Sequence, residues 1–234
     1  ETMKSLLDAG TSVVTIFGKT WDFHVKEALR VPLEENLEII HDSVAYLKKR
    51  VEKVFFDAEH FFDGYVNNPT YAVKCLRAAQ EAGADCLVLC DTNGGSMPEE
   101  VAEITGAVVK ALAMPIGIHC HNNQQLAFAN TIAGIIAGIN YLDATLYGIG
   151  RGAGNCPTEL LLSFLKNPKF KVRPLVEVIE SQILPWQDKI DWGYYVPYML
   201  TGILNQHPRT AMAHMESENK NRLTDFFDSV TSAI

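Results

Sequence analysis

Two histidines, His119 and His121, flank Cys120 in the stretch PIGIHCHNN at residues 115–123. Side chains on a strand alternate between its faces, so positions i and i+2 point the same way. The apolar run at 115–118 suits a strand covered on both sides, which makes the two imidazoles a same-facing pair at its end. Neutral imidazole is a common metal ligand, and two on one face can hold one cation. The competing reading packs one histidine in the core and leaves the other in a loop. Cys120 is expected to face the opposite side, as packing and not as a ligand.

Other residues able to do chemistry fall at comparable places. Lys19 follows the apolar run SVVTIFG, Glu59 ends KVFFDAE, and Asp91, Thr92 and Asn93 end CLVLCDT and open a Gly-Gly turn. Glu59 reads as an acid/base or positioning group, or as a surface or capping carboxylate. The Thr92 hydroxyl could hold a substrate carboxylate, with Asp91 and Asn93 beside it, although Asp and Thr before Gly-Gly are ordinary turn chemistry. Lys19 and Asp22 are expected along the same rim, and His60 as a loop residue. The segment GIGRGAGN at 148–155 lacks the spacing of a dinucleotide fingerprint and a following acidic residue. It reads as a rim loop in which Gly152 lets backbone approach a metal or substrate. Tyr195 or Tyr198 could supply an acid; packing with Trp186 and Trp192 is the alternative.

The elements that must position these residues alternate along the chain, as in βα units around a parallel sheet. Strands are expected at 12–18, 53–59, 86–92, 115–121 and 141–148, with helices at 32–50, 69–84, 97–112 and 124–139 and a helical pattern after 175. Several helices open near proline and close near glycine, and the first carries an acidic start and a basic end. In parallel α/β architectures the carboxyl ends of strands form the site. The expected fold class is α/β with a parallel sheet, open or closed into a barrel.

A net charge of -8 over 234 residues argues against nucleic acid or an anionic membrane surface as partner and favours small metabolites. No segment approaches the roughly 18 apolar residues of a membrane span, and ETMKSLLDAG resembles neither a signal nor a transit peptide. Five cysteines without a CxxC pair fit reduced thiols, hence a cytoplasmic setting.

The stretches VVTIFGKTWDFHVKEALR, LEENLEIIHDSVAYLK, DAEHFFDGY and GADCLVLCDTNGG resemble the citramalate synthase branch of a metal-dependent superfamily over residues 1–115. That superfamily also holds isopropylmalate and homocitrate synthases, hydroxymethylglutaryl-CoA lyase and 4-hydroxy-2-oxovalerate aldolase. From GIHCHNNQQLAFANTIAGIIAGI onward, residues 116–234 are more similar to the aldolase branch. The resemblance implies an eight-stranded barrel of the (β/α)8 type in which SVVTIFG is the fourth strand and YLDATLYG the eighth, with a partial-barrel domain at 1–172 and a C-terminal helical extension at 173–234. Strands one to three, and the Arg-Asp pair that the first carries, have no counterpart in these residues.

By the same resemblance His119 and His121 match the family's metal-binding pair, and Asn155 matches a residue that completes or supports the metal sphere. The cation is expected to be Mg or Mn, with Co or Zn possible. Glu59, Thr92 and Tyr198 are the expected catalytic residues; Lys19, Asp91, Asn93 and Gly152 are the expected substrate contacts. The implied reaction is a Claisen-type condensation of acetyl-CoA with pyruvate or a similar 2-oxo acid. The alternatives are a pyruvate aldolase taking an aldehyde partner and a noncatalytic partial barrel. A homo-oligomer is possible.

Overall fold

The computed structural model describes residues 2–187, 189–206 and 208–232. The chain runs α1 (Thr2–Asp8), β1 (Val13–Lys19), α2 (Asp22–His24), a π-helical turn (Val25–Leu29), α3 (Leu33–Lys48), β2 (Lys53–Glu59), α4 (Phe61–Asn67) and α5 (Pro69–Glu81). It continues with β3 (Cys86–Asp91), α6 (Pro98–Ala111), β4 (Ile116–Cys120), α7 (Ala127–Ala137), β5 (Tyr141–Leu142) and a 3-10 turn (Leu146–Gly148). Helices follow: α8 (Thr158–Leu165), α9 (Val172–Val178), a π-helical turn (Ile179–Ile183), α10 (Leu184–Gln187), α11 (Val196–Ile203), α12 (Arg209–Glu216) and α13 (Leu223–Thr231).

The residues form two compact units. The first comprises Glu1–Thr92, Glu99–Ile118 and Ala133–Leu142; the second comprises Asn93–Pro98, His119–Ile132 and Asp143–Ile234. The division falls inside β4, after Ile118, and inside α7, after Ile132.

The first unit is built on the sheet, whose strand order β1-β2-β3-β4-β5 follows the sequence. β1 pairs β2 in parallel from Val13↔Lys53 to Lys19↔Glu59, β2 pairs β3, and β4 pairs β5 at Gly117↔Tyr141. Sequential parallel order follows when each strand returns through a helix on the same side. Alternation puts Val54, Phe56 and Ala58 on the buried face, each at most 1% exposed. α3 answers with Asn36, Ile40, Val44 and Leu47, one helical stripe, and packs on β1 and β2. Truncating Leu47 to alanine at such a site costs about 2–5 kcal/mol. Asn36 Nδ2 donates to Lys19 O and to the Tyr71 hydroxyl, each at 2.9 Å, which anchors the end of β1. Asn68 caps α5 by accepting from Tyr71 N, with Pro69 in the first turn.

One expectation needs correction. The fifth strand, expected over 141–148, pairs only at Tyr141–Leu142. Beyond it the backbone bonds to its own loop: Thr145 N donates to Cys156 O at 3.0 Å, and Tyr147 turns left-handed at φ 55. His60 is the expected loop residue, a one-residue junction between β2 and α4 at φ 57, and it is fully buried.

In the second unit, Tyr198, Leu200, Ala211, Phe226 and Val230 of α11 to α13 form one apolar cluster, together with Ala153. Ile179, Ile183 and Trp192 form another. The expected single group of tyrosines and tryptophans is divided between them. Tyr195 and Tyr198 meet edge to face, Trp192 donates Nε1–H to Tyr147 O at 3.1 Å, and Trp186 is half exposed.

Candidate metal site

β4 ends in the second unit with His119 and Cys120, and His121 follows. Cys120 is fully buried, while the imidazoles turn the other way and meet. The Nε2 atoms of His119 and His121 stand 3.3 Å apart, with the rings nearly perpendicular. On its other side His119 presents Nδ1 to Asp143 Oδ2 at 2.9 Å. A carboxylate only accepts, so Nδ1 carries the hydrogen; in the neutral ring Nε2 then holds the lone pair.

Asn155 joins this pair through the backbone. It forms an isolated antiparallel bridge with His121, and Asn122 N donates to Gly154 O at 2.8 Å. Its side chain is buried: Nδ2 donates to Ile149 O at 3.2 Å, and Oδ1 accepts no hydrogen bond. The glycines of GIGRGAGN make this possible. A Cβ on Gly150 would lie 2.4 Å from Asn155 Nδ2, and one on Gly154, at φ 86, would lie 2.2 Å from Gly148 O. The 3-10 turn and Asn155 close on each other only because neither position has a side chain.

These residues fit a divalent cation. An ion about 2.1 Å from each Nε2 would see the two nitrogens at an angle of about 100°, from half of 3.3 Å over 2.1 Å, which suits tetrahedral or octahedral ligation. The buried amide oxygen of Asn155 supplies an oxygen donor with no other duty. Among the described residues no three His, Cys, Asp or Glu side chains form a metal cluster, so a third protein donor would have to be of another kind, such as the Asn155 amide.

The other residues picked out from the sequence fall into separate groups. In the second unit Gly152, at φ 63, packs against the Tyr198 ring, which a Cβ would approach to 3.2 Å. Burial, with the charges of Asp191 and Glu216, raises the Tyr198 pKa, so at neutral pH its hydroxyl is a donor. Tyr195 donates to Asp191 at 2.7 Å, and that bond, ahead of burial, raises its pKa too. The Asn93 side chain bonds Asn205, and Asn93 O accepts from Asn123 Nδ2 at 2.9 Å, so this amide serves the fold.

In the first unit Lys19 Nζ and Glu59 Oε2 form an ion pair at 2.7 Å, both side chains 17% exposed, at facing positions of the β1–β2 register. Thr20 donates its hydroxyl to Glu59 O at 2.9 Å. Thr92 Oγ1 accepts from His60 N at 2.8 Å, which fixes the β2–α4 junction and leaves the Thr92 hydroxyl hydrogen to donate. His60 Nδ1 lies 3.0 Å from Asp63 Oδ2, and Asp91 is buried at the end of β3. Asp22 accepts from Lys26 and Asn68 near α2.

Asp143 escaped the sequence reading. The sheet register shows the signal that could have found it: Gly117↔Tyr141 and Ile118↔Leu142 extend, at the same offset, to His119 and Asp143.

Comparison with known proteins agrees with this architecture. The chain is 54% identical over 164 residues to an (R)-citramalate synthase of Geobacter sulfurreducens, covering 70% of this chain and 31% of that protein. It is 48% identical over 171 residues to the corresponding Aquifex aeolicus protein, covering 73% and 32%. The chain thus spans about a third of the length of these curated relatives. Among solved structures, the N-terminal domain of a proposed aldolase from Bacteroides vulgatus superposes with a TM-score of 0.74 at 26% identity, covering all of this chain and 80% of that one. The Bacillus subtilis HMG-CoA lyase gives a TM-score of 0.67 at 20% identity over 76% of this chain and 64% of that one, a likeness of fold. The five-stranded parallel sheet is therefore part of a TIM-barrel type α/β fold. The HMGL-like family profile matches residues 1–182, more than half of the sequence, and the chain belongs to that family.

Proposed function

We propose that this chain carries the metal-holding part of an enzyme that condenses acetyl-CoA with pyruvate or a similar 2-oxo acid. The observation that carries the reading is the approach of His119 Nε2 and His121 Nε2 to 3.3 Å, with Asn155, whose buried Oδ1 accepts no hydrogen bond, bridged to His121 through the backbone. The 54% identity to a citramalate synthase supports the choice of substrates. His119, His121 and Asn155 would hold the cation, Mg or Mn in preference to Co or Zn. Bound there, a divalent ion supplies Lewis acidity toward the carbonyl oxygen of a 2-oxo acid.

The chain's own residues supply the rest. His119 offers a lone pair because its other nitrogen is spent on Asp143. Glu59, paired with Lys19, is the group we assign to take a proton from the acyl-CoA methyl, with Lys19 holding the carboxylate in place. Thr92 keeps a hydroxyl hydrogen for a substrate carboxylate beside Asp91. Asn93 and Gly152 shape the loops around the histidines. Five unbridged, buried cysteines accord with a reducing, cytoplasmic setting. No helix among the described residues is long and apolar enough to cross a membrane.

A second reading, a pyruvate aldolase, is favoured by the Bacteroides vulgatus likeness, which extends through the whole chain. The Tyr198 oxygen would there take the proton of the substrate 4-hydroxyl as the carbon-carbon bond breaks and return it to the aldehyde oxygen in the reverse direction. One pair of assays decides. Thiol release from acetyl-CoA plus pyruvate, measured with Mn or Mg, is the expected signal; pyruvate release from 4-hydroxy-2-oxovalerate in its place would replace the first reading with the second. Metal bound with neither signal would identify a noncatalytic barrel segment.

A further inference from the structure

We infer that Asp143 is a positioning residue that fixes the tautomer and ring orientation of His119, preparing Nε2 to receive a cation. The inference rests on the metal reading above and adds a residue to it. β4 and β5 are held at a constant offset: Gly117 faces Tyr141, Ile118 faces Leu142, and Ile116 N is bonded by the Asn140 side chain. The strand pairing stops after Leu142, and the next residue turns its carboxylate onto the next imidazole, with Oδ2 2.9 Å from Nδ1. Neutral imidazole has one donor and one acceptor nitrogen, so a carboxylate at Nδ1 leaves the lone pair on Nε2. That is the nitrogen facing His121.

The exposure of the two partners argues that the bond serves orientation and not stability. The Asp143 side chain is 48% exposed and that of His119 20%, so solvent screens the pair and its removal leaves folding nearly unchanged. What removal changes is the freedom of the ring. Without the carboxylate nothing at Nδ1 fixes the tautomer, and a ring that carries its hydrogen on Nε2 must lose it before an ion binds there. Outer-sphere carboxylates of this kind typically govern metal affinity by tenfold to a hundredfold.

The test uses the 234-residue chain and the metals alone. Mn and Co titrations of the metal-free wild type, Asp143→Ala, Asp143→Asn and His119→Ala are read by water-proton relaxation and the Co absorption spectrum, with a thermal melt of each. Nitrogen shifts of the metal-free imidazoles report the tautomer. The expected results are binding by the wild type, a tenfold to hundredfold loss in Asp143→Ala, and partial recovery in Asp143→Asn, whose amide oxygen still accepts. His119 should carry its hydrogen on Nδ1 in the wild type and lose that preference in Asp143→Ala, at an unchanged melting midpoint. Equal affinity in wild type and Asp143→Ala overturns the inference and leaves the metal site standing. Loss in Asp143→Ala as complete as in His119→Ala overturns it differently, by making Asp143 a ligand. A wild type that takes up neither metal overturns both readings.

Discussion

The ends of β2 and β4 each carry a pair of groups able to titrate or ligate, and the two pairs are built on opposite logic. Glu59 meets Lys19 across the β1–β2 register at 2.7 Å, a cation on an anion, satisfied as it stands. His119 meets His121 nitrogen to nitrogen at 3.3 Å, and Asn155, bridged to His121 through the backbone, has a buried Oδ1 without a donor. Two imidazole nitrogens brought together share a single hydrogen and gain little from each other. They gain much from an ion. A cation paired with an anion can serve structure or wait for a substrate to displace one partner, whereas two imidazole nitrogens that share one hydrogen can exchange it for a cation.

The strongest way to break this contrast is to remove both imidazoles. His119→Ala combined with His121→Ala should abolish Mn and Co uptake while leaving the far-UV circular dichroism unchanged; metal content equal to wild type in the double variant would refute the site. Glu59→Gln should leave metal uptake untouched. In the same variant thiol release should fall by about 10²–10⁴, the usual contribution of a positioned acid or base. Undiminished release would remove Glu59 from the chemistry and leave its pair with Lys19 a purely structural feature.

Backbone constraints sharpen the comparison at smaller cost. Gly154→Ala forces a side chain against Gly148 O at a left-handed φ, and we expect it to lower stability by about 1–3 kcal/mol and to weaken metal binding with it. Gly10→Ala in the first unit also sits at positive φ, 66, but in open space, and should cost only the conformational strain of about 1–2 kcal/mol, with no effect on metal uptake. Thermal melts of the two variants beside Mn titrations check the difference.

The smallest effect at neutral pH concerns the thiols. Burial pushes Cys75 and Cys86 up from 9.0 to about 12 and raises Cys156 as well. A folded-state pKa above the unfolded one means that the unfolded chain loses its protons first as pH rises. The contribution of these thiols to stability is therefore complete below pH 9 and is lost as pH climbs toward about 12. Urea unfolding at several alkaline pH values should show the fall, and Cys86→Ala should reduce its slope. For the same reason Ellman's reagent at pH 8 should find no reactive thiol in the native chain, which leaves thiol release from acetyl-CoA readable.

Legibility in the sequence varied with the range of the interaction. Strand alternation was enough to put His119 and His121 on one face and Cys120 on the other. Hydrophobic periodicity and proline placement located α3, α5 and α6 to within a few residues. The end of β5 was not legible, because Thr145 and Tyr147 are as apolar-flanked and β-prone as a strand and only the bond from Thr145 N to Cys156 O redirects them. That the loop residue His60 is buried was not legible, because local pattern carries no record of Asp63 and Thr92 closing around it. The bond from the Asn93 side chain to Asn205, 112 residues away, was not legible either.

The sequence by itself determined that strands and helices alternate, that reactive residues sit at strand ends, and that two imidazoles share one side, since period-two and period-3.6 patterns are local properties of the peptide. Only the tertiary structure decided which groups are already spent on each other and which are not. It joined Lys19 to Glu59 over 40 residues, set Asp143 behind His119 over 24, and folded a glycine loop back so that Asn155 pairs with His121. Those pairings depend on register and loop closure, which follow from packing across the whole chain and leave no signature in any one stretch of it.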